Sequence, residues 1–180
     1  MIFQKYRGNR GFTIIEILVV LSIISLLTIL TLTQYRTGQK SFALQRAAHQ
    51  LAQDIRRAQE MAMSAKEING FPPRYGVEFD TIYPDYYILF ADDNDNGKRE
   101  VSDQIIETIN LEKGINIDQV FVGEPLSSKA QIWITFKPPD PITEIRDPAA
   151  AESSIAKIQL TNDNKTKSIV VNKAGLIYVE

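Results

Sequence analysis

The hydrophobic pattern divides the chain into a long apolar run, an amphipathic stretch and a series of short alternating segments. Residues 12–32 contain no Lys, Arg, Asp, Pro or Gly, and their only charge is that of Glu16. With a rise of ~1.5 Å per residue, a helix of this length extends ~32 Å, enough to cross the ~30 Å hydrocarbon core of a bilayer. The pattern therefore predicts a membrane-spanning helix over residues 12–32.

The next stretch continues the predicted helix as an amphipathic segment over residues 33–69. Between Thr33 and Lys66 there is no proline. Small and apolar residues recur there at spacings of three and four: Leu44, Ala48, Leu51, Ile55, Ala58 and Ala62. This periodicity is typical of a helix face that packs on a core. Asn69-Gly70 and Pro72-Pro73 predict the end of the helix.

Residues 70–180 have the short alternating segments and turn residues of a globular β domain. The predicted strands are 75–80, 86–91, 104–110, 115–121, 131–136, 155–161, 168–172 and 176–179. The last two are predicted to form a hairpin, and Trp133 is assigned to the sheet core without a binding role. Residues 137–154 contain four prolines and are predicted to form a surface excursion rather than a strand.

This element order predicts an α+β fold. The first half of a long N-terminal helix spans the membrane, and an antiparallel β domain of one or two sheets packs on its second half.

Glu16 is the position that an ordinary membrane anchor does not explain. A carboxylate at the centre of a bilayer costs ~2.5–3.5 kcal/mol, and less towards the interface. The apolar run follows a basic leader with Lys5, Arg7 and Arg10. A secretory signal peptide would have an apolar region of ~7–15 residues and an A-x-A-like cleavage site, and neither is present. We therefore interpret Glu16 as a functional residue.

The segment Gly11-Phe12-Thr13-Ile14-Ile15-Glu16, between a basic leader and an unbroken apolar helix, resembles the processing site of type IV prepilins and type II secretion pseudopilins. The resemblance implies that a prepilin peptidase cuts after Gly11, releasing the leader 1–11, and that the new N-terminal Phe12 is methylated. It also implies that Glu16 acts in assembly by pairing with the α-ammonium of a neighbouring subunit. Many major pilins carry a proline in the membrane half of this helix, and this chain does not.

The order of a helix and about eight strands is most similar to the minor pseudopilin H group. The resemblance thus implies a structural subunit of a periplasmic filament that serves type II secretion. Two alternatives stay open: a minor pilin of a type IV pilus used in adhesion, motility or DNA uptake, and an uncleaved membrane-anchored binding or enzymatic domain. The expected partners are the prepilin peptidase, other pilin or pseudopilin subunits and the inner membrane. The basic leader predicts a cytoplasmic N-terminus and a periplasmic globular domain.

Composition and charge limit the binding and catalytic functions expected of the chain. The formal net charge is -2, and loss of the three leader cations makes it -5 (-2 minus 3). No basic cluster exists outside the leader, so no nucleic-acid partner is indicated. The chain has no cysteine and a single histidine, His49, and it carries no phosphate-binding loop, nucleophile elbow or H-E-x-x-H motif. We therefore expect no enzymatic activity.

One segment of the sequence indicates a metal-binding site. Residues 92–103, DDNDNGKREVSD, match the calcium-loop pattern at Asp92, Asn94, Asn96, Gly97 and Asp103; Glu100 occupies the ninth place and Lys98 offers a backbone carbonyl. Calcium binds about six to eight oxygens, which such a loop supplies locally. The alternative is a solvated turn, because Asp-Asn-Gly sequences are common in turns and Lys98 and Arg99 offset part of the negative charge. Calcium is the one cofactor that the sequence indicates.

Overall fold

The computed structural model describes residues 11–64, 73–138, 142–149, 151–162 and 165–180, except for the side chains of residues 32–37. Helix α1 extends over Ile14–Met63, and the chain divides into two compact units, Met1–Gln39 and Lys40–Glu180. The predicted leader residues 1–10 and the predicted helix stop at Asn69-Gly70 lie outside the described residues.

The described part of the first unit is an apolar helix. Residues Ile14–Thr31 have a mean hydropathy of 2.7, and none of them is buried inside the protein. Among the described residues this is the one helix long and apolar enough to cross a membrane. Its length and composition fit the predicted membrane anchor.

The second unit contains the rest of α1 and ten strands among its described residues. The strands are β1 Arg74–Asp80, β2 Tyr86–Asp92, β3 Gln104–Asn110, β4 Asn116–Val122, β5 Ser127–Lys129, β6 Gln131–Lys137, β7 Ile142–Arg146, β8 Ile155–Thr161, β9 Thr166–Asn172 and β10 Ile177–Val179. They form two antiparallel sheets, in the orders β3-β2-β1-β6-β7 and β10-β9-β8-β4-β5. The predicted α+β fold is therefore confirmed, with two sheets.

The main core lies between the second half of α1 and the inner faces of both sheets. All six helix positions of the predicted stripe are buried in one cluster: Leu44, Ala48, Leu51, Ile55, Ala58 and Ala62. The same cluster contains alternate residues of the strands, such as Val77 of β1 and Ile158 of β8. Because three of the six helix residues are alanine, strand side chains can approach the helix backbone closely.

A second, smaller apolar layer lies on the outer face of the first sheet. It consists of Ile88, Phe90 and Trp133, with Tyr86 packed against it. Trp133 is 6% exposed, as expected for a buried residue, but it belongs to this layer rather than to the main core. At Gly76 an added Cβ would lie 2.6 Å from Thr135 Cγ2 and 3.0 Å from Phe90 Cε1, so glycine allows the layer to close.

The prediction for residues 137–154 was wrong, because β7 lies within this segment and pairs with β6. Three of its prolines precede β7 and the fourth, Pro148, follows it, so no proline interrupts Ile142–Arg146. Strand β7 is also at the edge of its sheet, where flanking prolines are tolerated. Strand β5, of three residues, was not predicted either. The eight predicted strands and the final β9–β10 hairpin are confirmed.

Candidate functional site

The start of α1 is fixed by Thr13. Its Oγ1 accepts a hydrogen bond from the Glu16 N–H at 3.3 Å, and its carbonyl accepts one from the Ile17 N–H at 3.2 Å. Threonine at this place satisfies a helix N–H group that has no partner within the helix. The sequence analysis gave Thr13 no role, although Thr-x-x-Glu is the sequence signature of a capping box.

Glu16 lies in the first turn of α1. A carboxylate there interacts favourably with the helix dipole by about 0.3–1 kcal/mol, which is less than its cost near the centre of a bilayer. The ion pairs between described side chains all lie in the second unit, so Glu16 has no basic partner among them. In a bilayer, any remaining desolvation cost of this carboxylate would be offset only by groups outside the described part of the chain.

Gly11 and Phe12 are placed immediately before this helix start. No atom outside the neighbouring residues lies within 4 Å of a Cβ built at Gly11, so its described surroundings do not require glycine here. The Phe12 side chain is 78% exposed. Both features are compatible with access by an enzyme.

Three hydroxyl groups farther along the apolar helix are satisfied within it. Ser22 donates to the Leu18 carbonyl at 2.8 Å, Thr28 to the Ile24 carbonyl at 2.7 Å, and Thr31 to the Leu27 carbonyl at 3.0 Å. Such bonds let these side chains enter an apolar environment without a further partner. Glu16 differs from them because its charge is not satisfied in this way.

The structure also brings the ends of the predicted calcium loop into buried positions. Asp92 ends β2 and is fully buried, with its Oδ2 accepting the Gly97 N–H at 2.6 Å and its Oδ1 accepting the Asn96 N–H at 3.3 Å. Asp103 precedes β3, and its Oδ2 accepts the Glu100 N–H at 2.6 Å. Burial raises the pKa of Asp92, as does the nearby charge of Asp103, while the two amide bonds lower it.

The middle of the loop forms a chain of side-chain bonds. Asn94 Oδ1 accepts the Asn96 N–H at 3.2 Å, and Asn96 Oδ1 accepts the Lys98 N–H at 2.8 Å. The Nδ2 groups of both asparagines donate to Glu100, at 3.0 Å from Asn94 and 2.8 Å from Asn96.

The loop is attached to the outer face of the first sheet by ion pairs. Asp95 pairs with Arg74 and, at 2.7 Å, with Lys137. Arg99 pairs with Glu78, a buried residue of β1. Against the effect of burial, the bonds from Arg74 and Lys137 lower the pKa of Asp95.

Among the described residues, no group of three or more His, Asp or Glu side chains is placed to hold a metal ion. The buried acidic residues of the loop are Asp92 and Asp103, and calcium binding stays a prediction.

The comparison with known families identifies the N-terminal segment. Residues 6–32 match the family described as "Prokaryotic N-terminal methylation motif". No curated protein and no solved structure matches the chain. The matched segment contains Gly11, Phe12 and Glu16 and supports a type IV pilin-like or pseudopilin subunit. Such a motif implies processing by prepilin peptidase and assembly with other subunits of this class.

Proposed function

We propose that the chain is a minor pseudopilin, a non-enzymatic structural subunit of a short periplasmic filament that serves type II protein secretion. A prepilin peptidase cleaves it after Gly11, and the new N-terminal Phe12 is methylated. Before assembly the subunit spans the inner membrane once, with its N-terminus in the cytoplasm and the second unit in the periplasm.

The observation that carries this proposal is the position of Glu16. It is a carboxylate in the first turn of a helix whose described residues 14–31 are apolar nearly throughout and fully outside any core. A monomer in lipid gains only the helix-dipole interaction of about 0.3–1 kcal/mol from this charge and bears its desolvation cost. A subunit that packs among identical or related helices can recover that cost if a cation is provided at the same depth.

The α-ammonium of Phe12 on a neighbouring subunit is such a cation. It exists only after cleavage at Gly11, and a methylated amine is still protonated at neutral pH. Within a bundle of apolar helices the effective dielectric constant is low, so opposite charges attract far more strongly than in water. Cleavage would thus create the partner that Glu16 requires, and processing would control assembly.

The choice of secretion filament over pilus has separate support. One helix followed by two antiparallel sheets resembles the minor pseudopilin H group in element order, and the membrane half of α1 lacks the proline of many major pilins. The sequence after the leader has no basic cluster that would favour DNA uptake. A minor pilin of a type IV pilus is the alternative within the same class.

Two measurements test the proposal in cells that contain the complete secretion apparatus. Intact-mass analysis of the mature chain should show loss of residues 1–11 and addition of one methyl group. Deletion of the gene should leave exported proteins in the periplasm while pili still form. A wild-type chain that still begins at Met1 would overturn the filament proposal. Lost pili with normal secretion would instead identify a minor pilin.

A further inference from the structure

The two ends of the loop between β2 and β3 place negative charge where water cannot solvate it. Asp92 has no exposed surface, and Asp103 is 7% exposed. Neither carboxylate forms an ion pair with a described cation. A buried carboxylate without a cation is costly unless all its oxygens are hydrogen-bonded.

One of these oxygens has no such bond. Asp103 Oδ2 accepts the Glu100 N–H, whereas Asp103 Oδ1 is buried and has no hydrogen-bond partner among the described residues. Asp103 also lies close enough to Asp92 for the two charges to repel. Two neighbouring buried carboxylates with an unsatisfied oxygen form a place that favours a cation.

The two cations of the loop itself, Lys98 and Arg99, do not pair with Asp92 or Asp103. Lys98 Nζ lies 5.7 Å from the centroid of the Trp133 ring and donates to the Pro148 carbonyl at 3.3 Å. Arg99 pairs with Glu78 on the sheet. Lys98 and Arg99 therefore have partners elsewhere. They do not neutralise Asp92 and Asp103, as the solvated-turn interpretation assumed.

Arg74 of β1 is a cation from another element whose charge acts on Asp92, and it is also engaged. It pairs with Asp95 and, through Nη1 at 2.6 Å, with Glu144. It lowers the pKa of Asp92 only as the weakest of several effects.

Neutral oxygens are available in the same loop as the two carboxylates. The Oδ1 atoms of Asn94 and Asn96 each accept one backbone N–H, and a carbonyl oxygen has two lone pairs. Glu100 occupies the ninth place, from which such loops often bind calcium through a water molecule. These ligands lie within twelve consecutive residues, so binding requires no distant segment to close.

We propose that residues 92–103 bind one calcium ion, with Asp92 and Asp103 as its anionic ligands and Asn94 and Asn96 as neutral ones. Calcium fits this set better than magnesium because it accepts irregular geometry and many oxygens, whereas magnesium requires a near-octahedral site and keeps its waters. The bound ion would hold the loop on the layer of Ile88, Phe90 and Trp133. This inference does not depend on the proposed filament role.

The test uses the full chain in detergent micelles, freed of metal with a chelator. Calcium is titrated by calorimetry, and terbium is titrated by the emission that Trp133, the only tryptophan, sensitises. We expect one site per chain with a dissociation constant of roughly 10⁻⁶–10⁻⁴ M, and magnesium binding at least about tenfold weaker. Absence of both signals up to millimolar calcium, in a folded wild-type chain, would overturn the proposal.

Two variants locate the site. Asp103→Asn keeps the acceptor for the Glu100 N–H but removes the charge, and we expect calcium affinity to fall at least about tenfold. Asp93→Asn removes the same charge from an exposed side chain at a place that is not a ligand, and it should change affinity by less than about twofold.

If Asp103→Asn does not fold, Asn94→Ala replaces it, because Asn94 is exposed and should leave the fold intact. Its calcium affinity should also fall about tenfold. Equal weakening by Asp93→Asn and the ligand variants would mean non-specific attraction, and would contradict the proposed site.

Discussion

The two units differ in how they accommodate apolar and charged side chains. Residues 14–31 expose apolar side chains on every side and carry one carboxylate without a described basic partner, whereas the second unit buries Leu51 and Ile55 completely. Its buried charges mostly have partners, as Glu78 has in Arg99 and Asp147 in Lys129 at 2.6 Å. The charges of the second unit are thus satisfied largely by its own residues, whereas no described residue covers the apolar side chains of residues 14–31 or pairs with Glu16.

This difference predicts that substitutions in the two units fail in different ways. Changes at the start of α1 should alter processing or assembly while the second unit stays folded. Changes in the second unit should alter stability while cleavage continues.

The largest expected effect is at Gly11. Gly11→Val should block cleavage, because a β-branched side chain next to the scissile bond would clash with a peptidase site shaped for glycine. Since a Cβ at Gly11 meets nothing within the described structure, the substitution should not disturb the fold. Intact-mass analysis of membranes should show the full-length precursor. Unchanged trimming in this variant would contradict the assigned cleavage site.

Substitution of Glu16 tests the prediction that changes at the start of α1 impair assembly. In a filament, Glu16→Leu would leave the Phe12 ammonium of a neighbour without its partner, at a cost of roughly 3–5 kcal/mol for a buried pair. We expect insertion and cleavage to persist and cross-linking to partner pilins to fall sharply. Glu16→Asp should be intermediate, because the charge remains but its reach is shorter. Wild-type levels of cross-linked product from Glu16→Leu would refute the assembly contact.

The features that the sequence predicted well depend on neighbouring residues. The buried helix stripe from Leu44 to Ala62 and the eight alternating strands follow from periodicities of 3.6 and 2. The segment with Gly11, Phe12 and Glu16 is likewise local, and the match over residues 6–32 supports a pilin-like or pseudopilin subunit. The roles assigned to these three residues stay predictions.

The features that were missed are of two kinds. Some depend on contacts between residues distant in sequence, and one is a strand pattern hidden by neighbouring prolines. Strand β7 was obscured by prolines that flank it, although the buried Thr143 and Ile145 alternate with less buried neighbours. The burial of Trp133 in an outer layer requires the β2–β3 loop to fold back over the sheet. The pairing of Arg74 with Glu144 joins residues seventy positions apart, and no local pattern indicates it.

Substitution of Gly76 tests the prediction that changes in the second unit alter its stability. Gly76→Ala would place a Cβ 2.6 Å from Thr135 Cγ2 and 2.9 Å from the Ile134 carbonyl oxygen, so the outer layer must shift. Overpacking of this kind costs about 1–3 kcal/mol, which lowers the melting temperature by about 2–4 °C per kcal/mol.

Gly38→Ala is the matched control, because Gly38 is helical and a Cβ there meets nothing within 4 Å. It should leave the second unit's melting temperature unchanged or slightly raised. Both variants should be cleaved normally. A cleavage defect in Gly76→Ala, with the second unit still folded, would contradict the independence of the two units.

The smallest expected effect is the acid sensitivity contributed by Glu144. Against the effect of burial, hydrogen bonds from Arg74 and Arg146 hold the pKa of Glu144 below its usual value of 4.5. A carboxyl whose pKa is lower in the folded state stabilises it above pH ~4.5, and this contribution is lost as the pH falls through the folded-state pKa. Asp92, whose pKa burial raises, acts in the opposite sense and becomes less unfavourable when protonated. Glu144→Gln should therefore lower stability at neutral pH by ~1 kcal/mol and flatten its decline between about pH 5 and pH 2. Thermal unfolding of both chains across this range measures the difference.

Glu16→Leu should reproduce the wild-type pH profile, because its carboxylate belongs to the unit that does not determine this transition. If Glu16→Leu flattened the profile as Glu144→Gln does, charge in the first unit would contribute to the stability of the second, and the contrast between them would fail.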